Sequence, residues 1–285
     1  MTSLRLGLGH KIYLQLKIGL PFARANPLSG LSVLELEELL DQSVENVQDF
    51  YTQNPQWREQ HPIEGRGNYF YGEDFSKRCK AVRGKIAREK YLEQPQVIVH
   101  EDYSTSHNPS LDQRIAEKLA LFKREDTTER ARVDQLFSKR FMKEWQWVKE
   151  QQVAIVDYLC AEQEAYIKSR NPFDMKPINL DDIAKTIEYS SSTVCRIVNN
   201  LTVQLPTGDV IFADELIPSG KLMSIQGRYA LQQLKQDATV YENGKWILSD
   251  QDLVPLLHER FGIEVARRTV SKYRGMLDCK FNAIK

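Results

Sequence analysis

SDQDLVPLLHERFG, Ser249 to Gly262, is followed after three residues by ARRTVSKYRGML, Ala266 to Leu277. The first segment opens on a Ser249…Asp252 spacing, which lets the two side chains cap backbone groups at the start of a helix. Leu253, Leu256 and Leu257 form its apolar stripe. Gly262 supplies a stop, because glycine adopts the left-handed terminal conformation without strain. Pro255 removes one backbone hydrogen bond and predicts a kink in the early turns. In the second segment, steps of about 100° per residue bring Ala266, Val270, Tyr273 and Leu277 into one arc and turn Arg267, Arg268, Ser271 and Lys272 outward. Four cations and no anion fall between Ala266 and Arg274. Two helices joined by a short turn, the second with a cationic outer face, form the helix-turn-helix pattern, whose second helix enters the major groove. Arginine can pair twice with guanine, and lysine and hydroxyl side chains can grip phosphates.

A second stretch repeats the pattern upstream. In INLDDIAKTIEYSSSTVCRIVNN, Ile178 to Asn200, Asn179 is a natural cap and Asp181 and Asp182 occupy the first turn, where the helix dipole favours negative charge. Leu180, Ile183, Ala184 and Ile187 form one stripe, Tyr189 to Ser191 a turn, and Val194, Ile197 and Val198 an inward face. Ser192, Thr193, Arg196 and Asn199 then point outward. By pattern alone, a plain helical hairpin in a bundle fits this stretch as well. VQLPTGDVIF after it predicts a small β-hairpin turning at Thr207-Gly208.

The 285 residues are 41% apolar and 27% charged, with 39 cations balancing 39 anions. Whole-chain charge therefore selects no partner, but local charge is segregated. Leu31 to Asp49 carries six acids and no base, Ser76 to Lys90 seven bases against Glu89, and Arg260 to Lys285 seven bases against Glu264 and Asp278. Such segregation suits an interaction protein with separate anionic and cationic surfaces, although any one run also fits a solvated helix face. Cys79, Cys160, Cys195 and Cys279 lie far apart, which reads as four free thiols in a reducing compartment. The N-terminal segment is interrupted by Arg5, His10, Lys11 and Lys17 and resembles neither a signal peptide nor a membrane span. His10, His61, His100, His107 and His258 form no metal-spaced group, and no phosphate-loop motif occurs, so no enzyme or cofactor is expected.

Elsewhere, Leu36, Leu39, Leu40, Val44 and Val47 predict a helix over Leu31 to Phe50 after a cap candidate at Ser32. Pro55 to Tyr71 reads as irregular, Ser76 to Lys90 as helical and Pro95 to Ser110 as exposed turns. Between Thr127 and Ser169 neither Gly nor Pro occurs. Val133, Phe137, Phe141, Trp145, Val148, Ile155, Leu159 and Tyr166 recur there at helical spacing, which predicts core-facing stripes on two successive helices.

ARRTVSKYR differs at one position from ARRTVAKYR, the RpoN box of the sigma-54 family of bacterial RNA polymerase sigma factors, with Ser271 in place of alanine. LSDQDL resembles the family's LSDQEL, STVCR (Ser192 to Arg196) its STVSR, and MKPINLDDIA its LKPLTLRDIA. LPTG stands where the family has TPRG, so Thr207 replaces an arginine, and EQEAYI (Glu162 to Ile167) is similar to a family helix end. The likeness runs from about Gln151 to Lys285. LSVLELEELLDQSVEN resembles the end of the family's regulatory Region I, without its repeated glutamines. Between Asn54 and Asp126, neither its acidic Region II nor its DPPGVGARDL-type core-binding motif is found.

The resemblance implies a mostly α fold: a helical bundle core-binding region, then two helix-turn-helix DNA-binding units with a small β-hairpin between them. The expected division is a Region I-like segment over 1–54, a divergent linker or partial core-binding region over 55–126, a helical region with the first helix-turn-helix over 127–220, and an RpoN-box domain over 221–285. The expected DNA-binding residues are Arg267, Arg268, Thr269, Ser271, Lys272, Tyr273 and Arg274, with Ser192, Thr193, Arg196 and Asn199. By resemblance the RpoN-box helix reads an upstream GG promoter element, and the first unit with Region I engages a downstream GC element. The implied partners are promoter DNA, core RNA polymerase and an ATP-hydrolysing AAA+ activator, in the bacterial cytoplasm and without a membrane. The alternative is a paralogue that occupies such promoters as a repressor or decoy and does not initiate transcription.

Overall fold

A computed structural model describes residue 26 and residues 28–42, 73–84, 86–120 and 129–280. The chain divides into two compact units. One comprises Met1–Leu31, Glu35–Lys85 and Ile115–Val148, the other Ser32–Leu34, Ile86–Arg114 and Lys149–Lys285.

Helix α1 (residues 33–42), α2 (Glu73–Val82), the end of α3 (Pro109–Ala120) and the first half of α4 (Glu129–Glu162) supply the described part of the first unit. Leu36, Leu39 and Leu40 are fully buried, as their spacing predicts, among core residues that include Cys79, Ile115, Phe141 and Trp145. The expected continuation of α1 to Phe50 lies outside the described residues. Glu35 is also fully buried. Its carboxylate accepts the Gly84 N–H at 2.5 Å, since a buried polar group needs a partner. Two sequence expectations change here. The basic run Ser76 to Lys90 is not one helix: α2 ends at Val82, Gly84 takes φ +73°, and a separate 3-10 turn covers Arg88–Glu93. Its cations are also partly engaged, Arg83 donating to the Ser29 carbonyl at 2.8 Å. The long apolar-periodic run does split in two, but at Gln163, with α5 confined to Glu164–Ser169.

In the second unit, β1 (Val97–Val99) and β2 (Thr105–His107) form an antiparallel hairpin, and β1 runs parallel to β3 (Thr202–Gln204), which pairs antiparallel with β4 (Val210–Phe212). The order in the sheet is β2-β1-β3-β4. Pro95 to Ser110, expected as exposed turns, therefore contains two three-residue strands, with Val97 and Val99 buried. The expected hairpin after the first helix-turn-helix is present as β3–β4 and turns through Gly208 at φ +88°. It is one half of a four-stranded sheet. Arg88 pairs with Asp214 at 2.6 Å and lies 3.9 Å over the Phe212 ring, which ties the 3-10 turn to β4.

Helices α6 (Leu180–Ile187) and α7 (Ser191–Val198) lie between α5 and the sheet strands β3 and β4. At the C-terminus come α8 (Leu222–Leu234), a two-stranded hairpin of β5 (Tyr241–Glu242) and β6 (Lys245–Trp246), α9 (Asp250–Phe261) and α10 (Arg267–Lys280). Their shared core contains Ala230, Leu231, Leu234, Val240, Leu253, Leu257, Ile263, Val270, Tyr273 and Leu277.

Candidate nucleic-acid interface

The second helix-turn-helix is built by its caps. The Ser249 side chain accepts from Asp252 N–H at 3.3 Å, and Asp252 accepts in return from Ser249 N–H at 3.2 Å. Gly262 closes α9 at φ +66° and donates to the His258 carbonyl at 2.9 Å. Pro255 is accommodated in one continuous helix. The bond it forgoes would have gone to the carbonyl of Gln251, an exposed residue where water can substitute. Leu253 and Leu257 are buried, while Leu256 is half-buried.

On α10, Val270 is fully buried, and Arg267, Arg268, Ser271 and Lys272 are exposed on the other side. Thr269 is half-buried. Ala266 is exposed, because α10 starts one residue later and the helical projection does not reach it. Among the described residues, none gives Arg267, Arg268 or Lys272 a side-chain hydrogen bond or ion pair, so three cations meet solvent together.

Two expected DNA contacts are otherwise employed. Tyr273 is only 6% exposed and belongs to the core. A Cβ on Gly227 of α8 would sit 2.5 Å from its Cε2, so glycine there lets the ring pack directly on the α8 backbone. Arg274 pairs with Asp250 at the head of α9, and its guanidinium lies 5.1 Å over the Trp246 ring. It braces α10 against α9 and β6. Trp246 in turn meets Tyr241 edge-on at 5.2 Å, with Lys235 4.9 Å over the Tyr241 ring. The β5–β6 hairpin and α8 were absent from the sequence reading. The turn signal was Asn243-Gly244, which takes φ +50° and +77°, the conformation of a two-residue hairpin loop.

The first helix-turn-helix has the expected cap. Asn179 Oδ1 accepts from Asp181 and Asp182 N–H at 2.9 and 3.0 Å, and Asp182 accepts from Asn179 N–H at 3.0 Å. Glu188 leaves α6 in the left-handed conformation at φ +59°. Ser190 then caps α7, accepting from Thr193 N–H at 3.3 Å. Val194, Ile197 and Val198 are buried. Ser192, Arg196 and Asn199 are exposed, as is Cys195, while Thr193 is half-buried with its hydroxyl 2.9 Å from that of Ser190. Sequence reasoning missed the support behind this pair. Gln163, fully buried, donates to the carbonyls of Lys176 and Leu216 at 2.9 and 3.0 Å and accepts from Lys176 N–H at 2.9 Å. Gln163 lies in EQEAYI, the stretch that resembles a family helix end, but that likeness by itself assigns the side chain no partner.

Electrostatics elsewhere are structural. Hydrogen bonds from Thr239, together with Arg260 at 2.7 Å, hold the Asp237 carboxyl down to about 2. Burial pushes the Cys79 and Cys160 thiols up to about 12, which leaves both unreactive. Among the described residues no group of three or more His, Cys, Asp or Glu could hold a metal, and no helix is long and apolar enough to cross a membrane.

The family model described as "Sigma-54, DNA binding domain" matches residues 136–281. The chain is 31% identical over 154 residues to the RNA polymerase sigma-54 factor of Bacillus subtilis (strain 168), covering 50% of this chain and 34% of that protein. It is 35% identical over 120 residues to the Escherichia coli (strain K12) factor of the same name, covering 41% and 24%. The chain thus spans about a third or less of the length of these curated relatives. A crystal structure of Aquifex aeolicus sigmaN bound to promoter DNA aligns over 96% of this chain and 94% of that one, at 18% identity and a TM-score of 0.36, too loose a likeness to bear on how the parts are arranged. With a matched model over half its length, carrying both helix-turn-helix segments, the chain belongs to the sigma-54 family of RNA polymerase sigma factors.

Proposed function

We propose that the protein is a sigma-54-type transcription initiation factor that binds promoter DNA and core RNA polymerase. The observation that carries this reading is the outer face of α10, where Arg267, Arg268, Ser271 and Lys272 are exposed while Val270 on the opposite side is fully buried. A helix so held can enter a major groove with its donors preset, and Arg268 near the centre of the arc is placed to pair with a guanine of a GG element. Thr269 at its edge is suited to a phosphate. Tyr273 and Arg274 support the helix from behind. Ser192, Thr193 and Arg196 on α7, with Asn199 at its C-terminal end, offer one cation and three neutral hydrogen-bonding groups to a GC element.

The protein catalyses nothing itself and needs no cofactor. Opening of the promoter depends on an AAA+ activator, and the site of action is the bacterial cytoplasm. In this reading residues 221–285 read the GG element, 127–220 carry the first helix-turn-helix, 1–54 act as a regulatory segment and 55–126 form a divergent linker or partial core-binding region. The deciding experiment is comigration of the purified protein with core RNA polymerase, with and without a GG…GC promoter fragment. A ternary complex supports initiation. Binding to DNA with no binding to polymerase converts the reading to a repressor or decoy.

A further inference from the structure

Pro172–Asp174 is a single 3-10 turn between α5 and α6, yet Phe173 packs against the core of the C-terminal helices. Its ring stacks on Phe261 of α9 at 5.8 Å between centroids and 11° between planes. It meets Tyr229 of α8 edge-on at 6.1 Å and 68°. Gln226 of α8 donates to the Pro172 carbonyl at 3.1 Å, so a polar bond accompanies the aromatic contacts. The turn is itself held, because the Asn171 side chain accepts the Phe173 N–H at 3.1 Å. Gln163 secures the next segment through Lys176.

On the covalent path between the two helix-turn-helix segments, the connection into α8 is also tight. Only residues 217–221 separate the 3-10 turn Ala213–Leu216 from α8. Ser219 and Gly220 both take positive φ, +41° and +78°, and Ser219 N–H donates to the Ile178 carbonyl at 3.1 Å, just before α6. A short bonded linker on one side and an aromatic stack on the other restrain both translation and rotation.

We propose that Phe173 is a positioning residue that latches the two reading helices, α7 and α10, at one separation and one rotational phase, so that the protein selects DNA whose two elements lie a set distance apart. This rests on the DNA-reading role proposed above. Each added base pair moves the second element by about 3.4 Å and turns it by about a tenth of a helical turn. A rigid pair of helices meets both elements at one spacing only. A loosened pair gains tolerance and loses the advantage of simultaneous engagement.

The test is binding of the full chain, at one salt concentration, to duplexes whose GG and GC elements are separated by a series of lengths. The wild type prefers its best spacing by roughly 100-fold over the same duplex with half a turn inserted, the lower end of the gain from linked sites. Phe173→Ala lowers affinity for the best duplex about tenfold and flattens the preference to under about threefold, while binding to a GG-only duplex stays within about twofold. Phe173→Tyr, which keeps the ring, restores the profile, and Gln226→Leu shifts it in the same direction as Phe173→Ala but less. A second measurement needs no DNA: the distance distribution between spin labels at Lys185→Cys on α6 and Gln232→Cys on α8, in a Cys195→Ser, Cys279→Ser background. It is narrow with Phe173 and broad with Phe173→Ala. A spacing profile and a label distribution unchanged by Phe173→Ala overturn the latch and leave DNA reading intact. A wild type that prefers neither GG nor GC over scrambled DNA overturns the DNA reading and the spacing selection with it, and the label widths still decide whether Phe173 restrains the two segments.

Discussion

The two helix-turn-helix segments share a local design and differ in the surface laid over it. Both start on a reciprocal cap, Asn179 with Asp182 and Ser249 with Asp252, and both bury the inward face of their second helix. Ile178 to Asn200 carries three acids against two bases, whereas Ser249 to Leu277 carries five bases against four acids. In the second, Asp250 is bound to Arg274 behind the helix, which leaves Arg267, Arg268 and Lys272 in front. In the first, Arg196 is the one cation of α7, beside the neutral Ser192 and Asn199. Local fold and surface chemistry are therefore separable. On the proposed DNA-reading role, the difference would assign most of the electrostatic affinity to α10 and leave α7 to act through geometry and a single arginine.

The harshest way to break the comparison is to attack what the segments have in common. Val270→Asp places a charge where exposure is 0%. It is expected to unfold the C-terminal helices, costing at least about 4 kcal/mol. Val194→Asp, at an equally buried position of α7, has the same expected effect on the first segment. Circular dichroism melts check both, and a cooperative transition unchanged by either substitution refutes the assigned core. Gly227→Ala is a milder test of how α8 packs on the second segment. Its new methyl meets the Tyr273 ring, with an expected cost of about 1–3 kcal/mol from overpacking. A melting temperature equal to that of the wild type would remove the close packing of α8 on α10.

Arg268→Ala sharpens the comparison at the surface. It is expected to cost roughly 1–3 kcal/mol on a GG duplex and much less where GG is replaced, because a base contact carries discrimination and a phosphate contact does not. Equal losses on both duplexes would make Arg268 a phosphate clamp and leave base readout to Arg267 or Lys272. Salt dependence gives the smallest effect. Lys272→Ala is expected to lower the slope of log affinity against log salt by about 1, and Ser192→Ala to leave it unchanged. A slope that falls equally for both would contradict the assignment of charge to α10 and neutral contacts to α7.

Much of this was legible in the residues, and the misses have identifiable causes. Caps are local: Ser249, Asn179 and Gly262 act on backbone a few residues away, so their roles could be read from spacing. The buried stripes of α7 and α10 follow from helical periodicity for the same reason. Val97–Val99 carried no comparable signal. Three residues are too few to establish alternation, and their parallel partner Val203 is more than a hundred positions away. Tyr273 shows a subtler failure. Its angular position already placed it inward, but membership of a recognised motif placed it among the DNA contacts, although a motif position can serve packing as well as recognition.

By itself, the sequence determined the helices of the two helix-turn-helix pairs, which side of α10 is cationic, and the family that its motifs resemble. These depend on interactions within one or two turns of chain, whose energies act whatever surrounds them. Only the tertiary structure decided that Arg274 braces Asp250 and Trp246, that Gln163 holds Lys176 and Leu216, and that Phe173 leaves its own segment to stack on Phe261. Each joins residues distant in sequence, and a side chain that can reach several partners is assigned one only when the packed backbone brings that partner into range.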